Sequence, residues 1–496
     1  MVRFRWGAAK AGPAGWIAAV TLAAARFGAE IDLLALAQVK ALLLSLDVLL
    51  IIWAAFLLYR VVDEAGAIRV IGQALPSMTT DKGMQALLIG WAFASFLQGV
   101  GGFGVPVAVT APLLVGLGFS PLVAVLIPSI GHAWAVTFGS LASSFQALIA
   151  ATNLPGEMLA PMSASLLGVA GFGCGFMIAH VVGGWRAVQR LAVPVLVMGA
   201  AMAAAQYGLA THTLWNLGGF GGGIAGLLAG FLLTLWFRRK RSAGASIEPN
   251  KQSVLLALSG YLALVAFTLL FQLNPSVRAF LGQIVIRVSF PEMRTALGYV
   301  TPAGYGRTIP ILRHAGTILG CASLTAYLIY SRAGLYKVGA ARRIVWGTIQ
   351  RVMSSSLGIV SMVAMSVVMS HSGMTDILAN GIAQGVGALF PLAAPWIGAL
   401  GAFMTGSNTN SNVVFAMLQR RTAELLGYRS PTILAAQTTG GAIGSVIAPT
   451  KIVVGASTAG MAGEEGTVLR SLLPYICLLI AGMGMIVWVV IKVGLG

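Results

Sequence analysis

Apolar stretches separated by short polar or glycine-rich gaps run through the chain from Leu42 to Val490. The windows Leu42 to Leu58, Leu166 to Val182, Ala192 to Tyr207, Ile224 to Phe237, Val254 to Phe271, Thr317 to Tyr330, Leu357 to Met369 and Leu472 to Val490 are each apolar enough to cross or enter a bilayer. A spanning helix needs about 20 apolar residues, so the shorter windows must borrow their neighbours. The pattern predicts an all-α polytopic membrane protein with roughly ten to thirteen helical passages, least defined where Gly and Pro interrupt it.

Against that background Gly406-Ser-Asn-Thr-Asn-Ser-Asn412 stands out as an unbroken run of small and amide residues. An unpaired polar group in hydrocarbon costs several kcal/mol. Hydroxyls and carboxamides at this density therefore point to a hydrated cavity or a held solute at membrane depth.

A second region shares the organisation of the first. Phe96-Leu-Gln-Gly99 is followed by Gly101-Gly-Phe-Gly104, then Leu117-Gly-Phe-Ser-Pro121, then a segment from Gly131 to Ser140. The order recurs as Phe403-Met-Thr-Gly406, Ser407 to Asn412, Leu426-Gly-Tyr-Arg-Ser-Pro431, and Gly441 to Thr450. Each copy reads as an apolar approach, a break, a Leu-Gly-aromatic turn, a Pro-started helix and a second break. A helix broken inside the membrane frees backbone N–H and C=O groups for a solute, and its N-terminal ends favour anions. Paired interruptions of this kind mark the binding site of secondary transporters. The expected organisation is one integral membrane unit over 1–496. Its first repeat core is 85–155, a central region spans 160–330 with an exposed basic linker at 238–252, and the second repeat core is 395–460.

Composition excludes a soluble domain: 58% of residues are hydrophobic, 9% are charged, and the mean hydropathy is +0.89. The net charge of +18 comes with basic clusters in the gaps, Arg238-Arg-Lys-Arg241, Arg342-Arg343 and Arg420-Arg421. They read as cytoplasmic loops in contact with anionic lipid, with no nucleic acid partner. The N-terminus, with Arg3, Arg5 and Lys10, is expected on the cytoplasmic side, and no cleavage site marks a removed signal peptide. Cys174, Cys321 and Cys477 lack metal-ligand spacing and read as packing residues. The Gly218 to Gly230 run lacks the Lys-Ser/Thr of a phosphate loop, so close helix crossing explains it better.

A small anion needs a positive potential, donors for its charged end and room to approach the backbone. The expected substrate-binding set is Gln98, Gly99, Gly101, Gly102, Phe103 and Gly104 at the first break, and Ser407, Asn408, Thr409, Asn410, Ser411 and Asn412 at the second, with Thr438, Thr439 and Lys451 beyond. An intramembrane ammonium such as Lys451 is a functional candidate by default. His132 is the leading proton-coupling candidate, because imidazole titrates near neutral pH. Asp47 and Asp376, inside apolar stretches, are weaker ones. No metal site, other cofactor or catalytic group is expected. A membrane-embedded transferase, the rival from another class, would require an acid, base or metal constellation that the sequence does not display.

At the two repeats the sequence resembles the L-lactate permease family, and the match runs through most of the chain. Phe96-Leu-Gln-Gly-Val-Gly-Gly-Phe-Gly-Val-Pro-Val-Ala108 resembles the family's F-L-E-G-x-x-G-F-G-x-P-V-A signature, and Thr405 to Asn412 its T-G-S-x-T-x-S-N block. Thr438-Thr-Gly-Gly441, Pro112 to Phe119, Thr79-Thr-Asp81 and Gly316-Thr317 add smaller matches. The resemblance implies transport of L-lactate and relatives such as glycolate across a bacterial-type plasma membrane, usually with a proton, sodium being the alternative. Ser407-Asn408-Thr409 also resembles the Ser-Asn-Thr motif of the wider ion transporter superfamily. That likeness implies inverted repeats moving as a transport domain, elevator fashion, against a scaffold that forms a homodimer. Four positions depart from the family pattern: Gln98 replaces a Glu, Asn408 an Asp, His132 an Asn and Lys451 a small polar residue. These departures keep another small organic anion, carried with sodium or without coupling, open as the alternative.

Overall fold

The computed structural model describes residues 8–74, 79–102, 104–239, 251–305 and 309–494. Lipid offers no hydrogen-bond partner to a peptide group, so an apolar stretch satisfies its backbone by coiling. All eight windows lie in helices. Two of them share Gly156–Thr211, which is broken at Gly183 and Gly184. Among the described residues eight helices are long and apolar enough to cross a membrane. A ninth is added if Ser430–Ile447 and Pro449–Thr458, bent by 43°, count as one span. The chain is a multi-pass membrane protein. The count falls short of ten to thirteen passages partly because Gly156–Thr211, broken at Gly183 and Gly184, holds two of the windows and is counted once.

Helices α1 (Ala8–Phe27) and α2 (Ile31–Glu64) lead into the short α3 (Ala67–Ala74). The first broken unit follows. Helix α4 (Lys82–Val100), π-helical over Ala86–Phe93, ends at the glycines 101–104, and α5 (Val105–Gly116) leaves them. The Lys82 ammonium donates to the carbonyl of Leu117, which closes the outer ends of this hairpin. Then α6 (Pro121–Gly131) runs into the irregular segment 132–142 before α7 (Ser143–Thr152). Helices α8 (Gly156–Thr211), α9 (Gly218–Arg239), α10 (Lys251–Leu273) and α11 (Pro275–Leu281) make the central region. The Gly218 to Gly230 run serves close crossing: a Cβ on Gly223 would strike the backbone of Phe96, and one on Gly222 the ring of Trp134. The expected linker 238–252 falls mostly outside the described residues.

The all-α expectation needs one correction. Between α11 and α12 (Ala315–Arg332) the chain forms an antiparallel ribbon of three nested pairs. Val285–Ile286 (β1) pairs with Ile309–Pro310 (β6), Ser289–Phe290 (β2) with Gly304–Tyr305 (β5), and Met293–Arg294 (β3) with Val300–Thr301 (β4). This stretch is rich in β-branched and aromatic residues and lies outside every apolar window, so helix has no advantage there. The ribbon caps one end of the molecule, where Ala296 N–H donates to Gly28 (2.8 Å) and His371 meets Thr301 (3.1 Å).

Helix α13 (Ala340–His371) packs along α1 and α2, and α14 (Met374–Val386) leads into the second broken unit. That unit follows the same order of helices and breaks. It comprises α15 (Phe390–Thr405), a break at Gly406 and Ser407, α16 (Asn408–Leu425), a turn, α17 (Ser430–Gly444), an irregular segment 445–448 and α18 (Pro449–Thr458). Helix α19 (Glu465–Lys492) completes the described chain.

Two of the basic clusters lie far apart and are ion-paired. Arg343 pairs with Glu64 at 2.7 Å, at the start of α13, whereas Arg421 pairs with Asp376 at 3.2 Å, just past its end. A helix of 32 residues is about 48 Å long at 1.5 Å per residue. The two clusters therefore stand near opposite ends of that helix. Arg420 and Arg421 are bound to Glu424 as well (2.7 and 3.0 Å), so they are a neutralised cluster rather than a free cationic loop.

Candidate functional site

The breaks of both units converge on one cleft enclosing about 270 Å³, lined by Gln98, Val136, Ser140, Ser143 and Ser144 from the first unit and Gly406, Ser407, Asn408, Thr409 and Lys451 from the second. Local backbone chemistry explains the meeting. Gly102 has φ +55°, and a Cβ there would collide with Ser140 Oγ, so only glycine lets the end of α4 close on segment 132–142. Gly406, at φ +77°, plays the equivalent part against Thr450. Beyond Gly102, three consecutive non-glycine residues are left-handed: Ser140 (φ 45°), Leu141 (φ 55°) and Ala142 (φ 62°). Such positions cost of order 1–3 kcal/mol each and persist where the surroundings impose them. Here Ala142 N–H bonds Gly139 (2.9 Å) and Phe145 N–H bonds Thr137 (3.2 Å).

Hydrogen bonds knit the units together. Asn408 Nδ2 donates to Thr137 Oγ1 at 3.1 Å, and Asn412 Nδ2 to Ser144 O and to Thr438 Oγ1, both at 2.9 Å. Ser144 and Thr409 share a hydroxyl bond of 3.1 Å, as do Thr137 and Thr438. The amide nitrogens are thus committed to protein partners while the amide oxygens are not. Asn408 Oδ1, Asn410 Oδ1, Asn412 Oδ1 and Gln98 Oε1 are buried and accept no hydrogen bond. A buried acceptor left unpaired costs about 1–3 kcal/mol. The positive charge comes from Lys451, only 8% exposed, whose Nζ donates to Ser445 Oγ at 2.9 Å. Among the described residues no carboxylate lines the cleft.

The structure sorts the expected residues. Gln98, Ser407, Asn408, Thr409 and Lys451 meet in the cleft, with Gly102 at its wall. Asn410, Asn412, Thr438 and Thr439 are buried behind it, and Ser411 donates its hydroxyl to Gly398 O at 2.7 Å as internal bracing. Gly99 packs on α9, where a Cβ would run into the backbone of Phe220. Gly101 abuts Tyr59, and Gly104 approaches Val454. Phe103 lies outside the described residues.

His132 is fully buried outside the cleft lining, its Nδ1 2.6 Å from Pro128 O and its Nε2 without a partner. Asp47 is bound to His314 Nε2 at 3.0 Å, on α2 and the cap of α12, away from both breaks. Asp376 sits at the ribbon end with its side chain 31% exposed, ion-paired to Arg421 and accepting the Tyr299 hydroxyl at 2.6 Å. Burial and that carboxylate push the Tyr299 pKa up to about 12. Sequence reasoning missed Thr137, Ser143, Ser144, Ser445 and His314. The polar run Ser140-Leu-Ala-Ser-Ser144 was the available signal for two of them.

The model of a family described as L-lactate permease matches residues 1–494. The L-lactate permease of Salmonella typhi is 29% identical over 444 residues, covering 85% of this chain and 80% of that protein. The L-lactate permease of Bacillus subtilis strain 168 is 30% identical over 458 residues, and glycolate permease GlcA of Escherichia coli K12 is 28% identical over 454, each with 85% of this chain and 80% of the relative covered. Among solved structures, the YdaH transporter of Alcanivorax borkumensis superposes with a TM-score of 0.52 over 94% of this chain and 90% of that one, at 15% identity. At that identity the likeness concerns the fold alone.

Proposed function

The chain belongs to the L-lactate permease family, and on that premise we propose that it is a secondary active transporter of small 2-hydroxymonocarboxylates, L-lactate and glycolate first, across the bacterial-type plasma membrane. The observation that carries the reading is one buried ammonium, Lys451, lining a cleft together with Gln98, Asn408 and the hydroxyls of Ser140, Ser143, Ser144, Ser407 and Thr409, and with no carboxylate among the described residues of its lining. A 2-hydroxy acid offers the complementary set. Its carboxylate is acceptor-only and meets Lys451 and the Ser and Thr hydroxyls, and its hydroxyl donates to an amide oxygen. Acetate lacks the donor and would leave an orphan unpaired.

In this reading the two broken units are inverted repeats that carry the cleft past a scaffold of α1, α2 and α13. Their hairpins support it: the first closes its outer ends at Lys82 and Leu117, near Asp81 and Arg190, and the second near Arg421 and Asp376 under the ribbon. Coupling runs through protons, with His132 Nε2 as the acceptor nearest the first unit's second break. A second reading, sodium coupling, is favoured by the same orphan oxygens, since a hard cation takes oxygen ligands. Purified protein in sealed liposomes, loaded with imposed proton or sodium gradients and offered labelled L-lactate, tests all of this. Accumulation against a gradient under a proton gradient supports the reading. No uptake under either gradient, from vesicles holding folded protein, refutes it.

A further inference from the structure

A second cavity, roomier than the cleft, lies on the far side of the helices that line the cleft. Helices α7 and α16 turn Ser143, Ser144, Asn408 and Thr409 toward the cleft and Ala147, Ala150, Val413 and Met417 toward this second space, whose other wall is α2 and α13. Val363 and Val367 of α13 and Leu44 and Val48 of α2 make that wall aliphatic. At the ribbon end the character changes. Lys40, His371, Ser370 and Asn153 gather there beneath Tyr305, and among the described residues no carboxylate lines the cavity. The Lys40 ammonium is steadied by the Phe290 ring, 5.8 Å from its centroid.

We infer that this cavity is a second, separate ligand site, for an amphiphilic monocarboxylate whose head pairs with Lys40 and whose aliphatic tail lies between α2 and α13 on one side and α7 and α16 on the other. A cation at one end of an apolar slot selects such a ligand over a neutral one, because the desolvated charge pair requires the carboxylate. The apolar tail distinguishes it from the solute of the cleft. Its occupant touches the two helices that build the cleft and the two that do not, so it bridges the elements whose relative position transport would change.

The test uses the full chain in phosphatidylcholine nanodiscs and labelled decanoate. Saturable binding is expected, undisturbed by excess L-lactate, weakened at least about tenfold by Lys40→Gln and kept by Lys40→Arg. Decanol should compete poorly. A diazirine analogue of decanoate on the wild-type chain should label the segments holding Val367 and Met417, an outcome that does not depend on any variant folding. Equal competition by decanol, unchanged binding in Lys40→Gln, labelling elsewhere, or displacement by L-lactate would each overturn the inference. Loss of decanoate binding on adding phosphatidylglycerol would also overturn it, because the cavity would then belong to a lipid headgroup. Binding of decanoate is read without any uptake measurement, so its failure is separable from failure of the transport reading.

Discussion

The two broken units share one order of elements and divide the chemistry between them. The first has a tip of glycines with Gln98 as its polar side chain, and its cleft hydroxyls sit at Ser140 in the second break and at Ser143 and Ser144 where α7 begins. The second concentrates its amides and hydroxyls at the tip, Ser407 to Asn412, and places a cation, Lys451, just past its second break. Strain divides in the same way. Three left-handed non-glycine residues mark the second break of the first unit, whereas Ala448 in the matching segment is merely extended, at φ −61° and ψ 135°. One unit supplies close approach and a stressed backbone, and the other supplies charge and side-chain donors. A single small solute has one charged end, so two identical half-sites would leave one of them unsatisfied.

Variants that remove one side of this division break the comparison, and the largest effect is expected on the charged side. Lys451→Met should lower proteoliposome uptake of L-lactate by more than about 100-fold, since a desolvated counter-ion to the solute is lost, with membrane insertion unchanged in size-exclusion profiles. Full activity in that variant would dissolve the charge assignment. Next comes close approach. Gly102→Ala should cut uptake at least about tenfold through the clash with Ser140 Oγ, and Ser140→Gly in the same chain should restore part of it. An additive double variant would show that the contact does not matter.

Gln98→Glu restores a carboxylate to the glycine-rich tip and should steepen the pH dependence of uptake, because a buried acid at that position titrates where an amide cannot. An unchanged profile would remove Gln98 from coupling. Ala142→Gly relieves one left-handed residue and should stabilise the protein by about 1 kcal/mol, read as a raised thermal midpoint. The smallest effect is at the ribbon, outside both units. Tyr299→Phe loses one hydrogen bond to Asp376, about 1 kcal/mol. The Tyr299 pKa is raised in the folded state, from 10.0 to about 12, so its contribution is whole below pH 10 and fades as pH climbs toward 12. The gap between wild type and Tyr299→Phe in thermal unfolding should shrink over that window, and a constant gap would contradict the assignment.

Much of this was legible in order along the chain. Apolar windows became helices because hydrocarbon leaves the backbone no other partner, and the Ser407 to Asn412 run became a site because polar groups at membrane depth are costly to keep. The glycine tip was legible as a break but not as a set of contacts. Gly99 and Gly102 are three residues apart, yet one packs on α9 and the other on Ser140. Spacing does not say which neighbour fills the space a missing Cβ leaves. Asp376 was opaque for a similar reason, since apolar neighbours in sequence did not reveal that Arg421 and Tyr299 surround it at the ribbon end.

By itself, then, the amino-acid order determined the class of protein, the helices, the two interruptions and the family to which their motifs belong, because each rests on local composition and on the hydrogen-bonding demands of a chain in lipid. Only the tertiary structure decided which polar atoms face one another. The orphaned oxygens of Asn408 and Gln98, the isolation of Lys451 from any carboxylate in the cleft, and the separate cavity beneath Lys40 are all products of helices distant in sequence meeting at fixed angles. Whether a donor is satisfied or a charge is alone depends on which atoms lie within about 3 Å of it, and a linear order of residues does not carry that information.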